Sequence, residues 1–419
     1  MTTTQPAFVK PTLDGQRIEY LDILRGIAIL CIYVANIGFF SGDWFFSKED
    51  RIPSTLLPTD GWLDFLCYTF IDGKFYTVFS LLFGIGCIIQ YNSLKLKKIS
   101  FNSFFLKRMF WLLVFGLIHL IVFWAGDILT LYALLGFTLI WFVEWSNKKL
   151  LLWGIILQFI PIFNWVIIHY WGLNYPDVFR SAIVQYWEYF GFPTIMQQEV
   201  KYPNLQYIFL NESWRDFFVM NPGNALFRIF LILEEGRIFK VLGIFLIGLW
   251  SGRQILHNNL LDNKILLKKI VWWGIGIGLP FSLFRTYIEF YLKGSAEIWA
   301  FIHTISYAIG TVPLAVGISA LIALNIRPQM QILKWFSPVG KMAFSNYIFQ
   351  TLISICIFYG VGFQWAGKLG YTYIILICLL VFTLQILIST WWLKRFRFGP
   401  LEWLWRSCTY WRIQPFKRW

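Results

Sequence analysis

Residues 92–128 read NSLKLKKISFNSFFLKRMFWLLVFGLIHLIVFWAGDI, and two kinds of segment meet in them. Asn92 to Arg108 carries Lys95, Lys97, Lys98, Lys107 and Arg108 with no acid, whereas residues 109–126 contain no Asp, Glu, Lys or Arg. A bilayer core takes about 20 helical residues to cross. Lipid offers no hydrogen bonds to the backbone, so a segment of this kind must be a helix. The stretch therefore reads as a cationic turn at a membrane surface followed by a span.

The same alternation extends in both directions. Spans are expected near 21–40, 74–91, 109–126, 128–145, 150–170, 238–252, 270–287, 300–324, 342–361 and 371–393. The sixth is short, and the apolar residues Ala225 to Leu233 offer it an extension toward the N-terminus. Trp62 to Phe70 is apolar but too short to cross, and reads as interfacial or re-entrant. Alternate turns are basic: Lys148 and Lys149; Arg253, Lys264, Lys268 and Lys269; Arg327, Lys334 and Lys341. The intervening loops are acidic, with Asp43, Glu49, Asp50, Asp60 and Asp64 in one and Asp177, Glu188, Glu199, Glu212 and Asp216 in another. Cationic loops stay in the cytoplasm, so both termini are expected there.

The fold class is thus all-α: a polytopic bundle of about ten spans. A cytoplasmic tail covers residues 1–19, and the bundle covers 20–393 with external loops near 41–73 and 171–224. A basic, aromatic interfacial tail covers 394–419. The external loop is rich in Tyr, Trp and Phe and is expected to form amphipathic helices on the outer interface, with a substrate lid as its functional reading. In the C-terminal tail, Pro400 suits a helix start and Glu402 is spaced to pair with Arg406.

Composition agrees with a membrane protein. Hydrophobic residues make up 58% of the chain and charged residues only 14%, below the roughly 25% of soluble domains. A net charge of +14 is explained by the loop bias and anionic lipid, so no nucleic-acid partner is expected. Most of Cys31, Cys67, Cys87, Cys356, Cys378 and Cys408 lie in apolar stretches without a CxxC pair; no disulfide framework and no metal site follows. Gly274, Gly276 and Gly278 form a GxGxG run inside a span, where glycine serves close helix packing.

Ionisable residues at membrane depth cost a few kcal/mol and are functional candidates. His119 leads, roughly 16 Å beyond Arg108 at 1.5 Å per residue, close to the midplane. It is suited to general-base work on a hydroxyl or amine. Asp127 lies about 12 Å further along a continuous helix and about 80° around it, so the two touch only if Gly126 breaks the helix and folds the turn back. Asp127 is read as a catalytic-site residue that orients a substrate or shapes the hairpin, with an N-cap of the following helix as the alternative. Asp22 and Arg25 share a face of the first span, and Arg25 is placed to hold a phosphate near the cytoplasmic edge. Asn36, Glu234, Glu235, Arg237 and Asn346 are candidate substrate contacts, with Glu234 and Arg237 one turn apart. Asn346 and Gln350 form an i,i+4 pair in a polar stripe on the ninth span.

The segments RIEYLDILRGIAIL, DGKFYTVFSLLFGIG, GLIHLIVFWAGDILTLYALLG, GKMAFSNYIFQTLI and GPLEWLWRSCTY run from the first span to the tail. Together they resemble the YeiB-like family of bacterial membrane proteins, whose defining domain is of unknown function. More remotely, Leu21, Asp22, Leu24, Arg25 and Gly26 form an LDxLRG opening. It is similar to the start of membrane acyltransferases of the heparan-glucosaminide acetyltransferase and acyltransferase-3 type. That resemblance implies an O- or N-acyltransferase of the bacterial cytoplasmic membrane. Acyl-CoA would be the donor on the inner face, and a sugar, lipid or small molecule the acceptor near the outer face. It departs at one point: the glucosaminide enzymes carry a histidine just after the first span, where this chain has Phe39 to Trp44 and none. A transporter or lipid-handling permease, with His119, Asp22 and Glu235 in proton coupling or substrate contact, and a membrane scaffold are the alternative readings.

Overall fold

The computed structural model describes residues 18–47, 49–192, 203–292, 294–326 and 331–418. The expected N-terminal tail, save its last two residues, and Glu199 and Arg327 lie outside them. Helices make up the fold, and among the described residues there is no β-strand.

The chain opens with α1 (Glu19–Phe40), α2 (Asp60–Phe70), α3 (Lys74–Leu96) and α4 (Phe101–Ile118). A wide π-type turn, His119–Phe123, continues α4. Then come α5 (Leu129–Phe142), α6 (Asn147–Trp165), α7 (Asp177–Tyr189), α8 (Pro203–Leu210), α9 (Trp214–Glu234) and α10 (Arg237–His257). The last third holds α11 (Lys264–Tyr287), α12 (Glu297–Asn325), α13 (Gln331–Lys334), α14 (Phe336–Lys341), α15 (Ala343–Phe358), α16 (Tyr371–Arg395) and α17 (Pro400–Tyr410).

Among the described residues nine helices are long and apolar enough to cross a membrane. The ninth expected span is a bent pair instead, α13–α14 followed by α15 at 82°. The expected span near 128–145 is the short α5.

Hydrogen bonds sort the bundle into two ends. At the basic end Arg253 donates to the carbonyls of Val143 and Trp145 at 2.6 Å, and the Trp405 indole donates to the Arg108 carbonyl at 3.0 Å. At the opposite end Gln206 donates to the Phe45 carbonyl and Gln364 to the Leu210 carbonyl. The amide of Asn164 donates to the Leu233 and Glu234 carbonyls there. Leu210, just before α9, and Glu234, its last residue, are therefore tied to the same end of the bundle, although α9 is of spanning length. It is also not an extension of α10: Gly236, at φ +59, separates the two helices with a left-handed turn that favours glycine.

Close packing follows the glycines. A Cβ on Gly274 would meet the Gly317 backbone at 2.7 Å and one on Gly278 would meet Leu314 at 2.4 Å, whereas Gly276 faces open space. The i,i+4 pair of the GxGxG run thus seats α11 against α12.

Candidate functional site

The helix break at the end of α4 makes the site. Trp124 leaves helical conformation at φ −159°, ψ 125°, and its indole stacks on Phe40 with ring centroids 4.2 Å apart. Gly126 lies against that indole, where a Cβ would come within 2.1 Å of the ring. Asn221 on α9 donates to the Val122 carbonyl at 2.9 Å, satisfying a group that the broken helix releases.

The chain folds back, and His119 Nδ1 meets Asp127 Oδ2 at 2.8 Å. Asp127 Oδ1 also accepts from the Thr130 amide at 2.7 Å, so this carboxylate both holds His119 and caps α5. His119 Nε2 lies 3.0 Å from the Thr351 hydroxyl on α15. The pair is buried, with His119 1% and Asp127 2% exposed. An ionised carboxylate only accepts, which places the imidazole proton on Nδ1 and leaves Nε2 the lone pair that takes the hydroxyl hydrogen.

A cavity of about 480 Å³ runs toward this pair from the basic end. Its lining includes five cations, Arg25, Lys97, Arg108, Lys341 and Arg406, against two carboxylates, Asp22 and Glu402. Its deeper wall is apolar and aromatic, with Ile128, Tyr132 and Tyr347. His119 stands behind that wall, its ring 5.3 Å from the Tyr347 ring between centroids. At the entrance Arg25 donates to Asp22 at 2.9 Å, and the Arg108 guanidinium lies 4.1 Å over the Trp405 ring.

The tail helix α17 completes the cavity wall. Glu402 accepts from the backbone amides of Phe344 at 2.7 Å and Ser345 at 3.1 Å, capping the start of α15, and from the Ser345 hydroxyl. This corrects the expected pairing with Arg406: the free amides of a helix N-terminus compete for the carboxylate. Enclosure raises the Glu402 carboxyl above its ordinary range, and those hydrogen bonds oppose the rise.

The other expected residues fall elsewhere. Arg237 pairs with Glu235, Nε to carboxylate at 2.7 Å, rather than with Glu234, because the turn at Gly236 breaks the one-turn register. Asn346 donates to the Ser389 hydroxyl at 3.0 Å and Gln350 donates to Gln385 at 2.9 Å, so the polar stripe ties α15 to α16. Asn36 is half-buried on α1. Sequence reading misses Thr351, Tyr347, Lys97, Arg108, Lys341 and Arg406 as neighbours in one site; for the cations, clustering in the basic turns is the only signal.

Among the described residues, an all-helical bundle with nine helices long and apolar enough to span a membrane, carrying a buried His–carboxylate pair beneath a cation-lined cavity, has the architecture of a multi-pass membrane protein. Residues 251–412 match the family described as "Protein of unknown function (DUF418)". The chain is 30% identical over 423 residues to "Uncharacterized protein YxaH" of Bacillus subtilis (strain 168), covering 97% of this chain and 98% of that protein. It is 26% identical over 416 residues to "Uncharacterized protein YeiB" of Escherichia coli (strain K12), covering 94% and 96%. The chain belongs to this YeiB-like, DUF418 family. No solved structure matches it significantly.

Proposed function

We propose that the chain is an integral-membrane acyltransferase of the bacterial cell membrane, with the basic end and both termini in the cytoplasm. The observation that carries the reading is the cavity that begins among Arg25, Lys97, Arg108, Lys341 and Arg406 and ends against the residues covering His119. Cations at the entrance suit the phosphates of an acyl-CoA donor, and the apolar depth suits its acyl chain.

In this reading a hydroxyl or amine acceptor takes the place of the Thr351 hydroxyl at His119 Nε2. The acceptor heteroatom attacks the thioester carbonyl and its proton passes to Nε2. The carbon–sulfur bond then breaks, and the proton leaves on the thiol. Asp127 holds the ring in the required tautomer and stabilises the imidazolium. An external sugar, lipid or small molecule is the acceptor, presented from the end where α7, α8 and α9 gather.

The experiment is a thermal-unfolding titration of the purified chain with acetyl-CoA or a longer acyl-CoA, combined with a transfer assay in proteoliposomes. A donor that binds the folded state raises its Tm. Stabilisation in the wild type, weakened in Arg25→Ala, with transfer lost in His119→Ala at unchanged expression, is the expected result. Absence of stabilisation by any acyl-CoA overturns the reading.

A further inference from the structure

The end of the bundle remote from the basic turns holds a second polar cluster, which acyl transfer at His119 leaves unused. Arg285 at the end of α11 donates to Asp72 at 2.7 Å, to the Tyr68 hydroxyl at 2.7 Å and, through Nε, to His303 at 3.1 Å. His303 in turn lies 3.4 Å from Glu289. Arg237 at the start of α10 pairs with Glu235.

Two lysines complete the group. Lys240, three residues beyond Arg237, is 2% exposed, and its Nζ stands 2.9 Å from the centroid of the Tyr307 ring. Lys74 at the start of α3 is 0% exposed and donates to the Tyr68 carbonyl at 3.3 Å. Among the described residues neither ammonium has a carboxylate within ion-pair distance, whereas Arg285 and Arg237 each have one.

The geometry converges on two tyrosines. The Tyr76 and Tyr307 hydroxyls are 3.5 Å apart. Arg285 lies 4.3 Å from the Tyr307 ring, and Arg237 and Lys240 lie 5.8 and 6.0 Å from the Tyr76 ring. Lys240 Nζ and Arg285 Nη1 are both buried without a hydrogen-bond acceptor among the described residues. A buried ammonium without a counter-ion is strongly disfavoured, and a buried guanidinium N–H without an acceptor adds to the penalty. One multidentate oxyanion removes both deficits.

We propose that the Lys74, Lys240, Arg285, Tyr76 and Tyr307 cluster is a phosphate-binding site at the end of the bundle opposite the cation-lined cavity. Lys74 and Lys240, neither within ion-pair distance of a carboxylate among the described residues, are placed to balance the charge of a bound phosphate monoester. The orphaned Nζ and Nη1, with the tyrosine hydroxyls, supply donors to its oxygens. The phosphate is that of a soluble ion or phosphorylated solute, or that of a lipid headgroup. The site stands independently of acyl transfer.

The test uses the purified full chain in neutral detergent, with sodium phosphate compared against sodium chloride at matched ionic strength and pH. Wild type, Lys240→Met, Lys74→Met, Lys240→Arg and, for the other cavity, Arg25→Ala are followed by thermal unfolding. A saturable rise in Tm with phosphate, kept in Lys240→Arg and Arg25→Ala and lost in both Met variants, is expected for a soluble source. A parallel series in nanodiscs of phosphatidylcholine with and without phosphatidylglycerol reads the lipid source, as a Lys240-dependent rise in the absence of soluble phosphate. If Lys240→Met does not fold, Lys74→Met carries the comparison. No shift in either series overturns the proposal, as does a shift that persists in the Met variants or disappears in Arg25→Ala. The acyl-CoA response of the Met variants is measured alongside, so that failure of this site and failure of the acyltransferase reading are distinguishable.

Discussion

The carbonyl oxygen of Asp22 lies 1.8 Å from the point where a Cβ on Gly340 would stand. Gly26, one turn further along α1, makes the reciprocal approach to the Phe336 carbonyl at 2.0 Å. The two helices therefore meet backbone to backbone, and this contact sets the position of the Asp22–Arg25 pair at the cavity entrance.

Gly340→Ala is expected to force α14 away from α1. Overpacking of this kind costs about 1–3 kcal/mol or more, because backbone rather than a flexible side chain must move. Thermal unfolding should show a lower Tm, and acyl-CoA stabilisation should weaken with it, since Arg25 moves with α1. A variant as stable as wild type would contradict the interlock.

Asp127→Asn keeps the shape of the pair but removes the charge that fixes His119. Transfer of a radiolabelled acetyl group in proteoliposomes should fall by about 100- to 10,000-fold, the range ascribed to general acid–base groups. Asp127→Ala should also cost about 3 kcal/mol, because it strands a buried partner and uncaps α5. A comparison of Tm for the two variants separates chemistry from folding.

Glu402→Ala removes the cap on α15 and should lower stability by about 1–2 kcal/mol. Glu402→Gln should be far milder, since an amide oxygen still accepts the two backbone hydrogens. The raised carboxyl has a sign that can be checked. A group that binds its proton more tightly when folded adds stability at low pH and loses it as pH rises through its folded pKa. Wild type should gain on Glu402→Gln as pH falls from neutral toward the carboxylate range, as read by Tm at each pH.

The proposed orientation is checked by reporter fusions. A periplasm-active enzyme fused after Gly172 should be active, and one fused after Asn258 should be silent, with a cytoplasmic fluorescent reporter giving the inverse. Activity after Asn258 would reverse the assignment of the basic end.

The spans were legible because hydrocarbon imposes one solution on the backbone, and a run such as 109–126 announces it without reference to the rest of the chain. The fate of α9 was less legible. Asn221, Pro222, Gly223 and Asn224 dilute its hydropathy, so the sequence reads as loop up to Asn224 where the structure has one helix from Trp214. The His119–Asp127 contact was visible only as a condition on Gly126. What meets the condition is non-local: Phe40 under Trp124, Asn221 on the Val122 carbonyl and Thr351 on the imidazole. Glu402 shows the same limit. Spacing ties it to Arg406, but the amides it caps belong to residues 57 and 58 positions earlier. Lys74 and Arg285 sit at helix ends, where a cation ordinarily reaches for the interface, so nothing local marks them as buried partners.

The tail helix that walls the cavity lies downstream of every hydrophobic segment. Glu402 and Trp405 therefore follow in the chain the two helices that they clamp, α15 and α4, and reach them by docking back on segments made earlier. One side of the cavity is thus missing until that docking occurs. Fusion partners appended close behind α17 should impede that final docking more than equally large partners placed at the amino terminus.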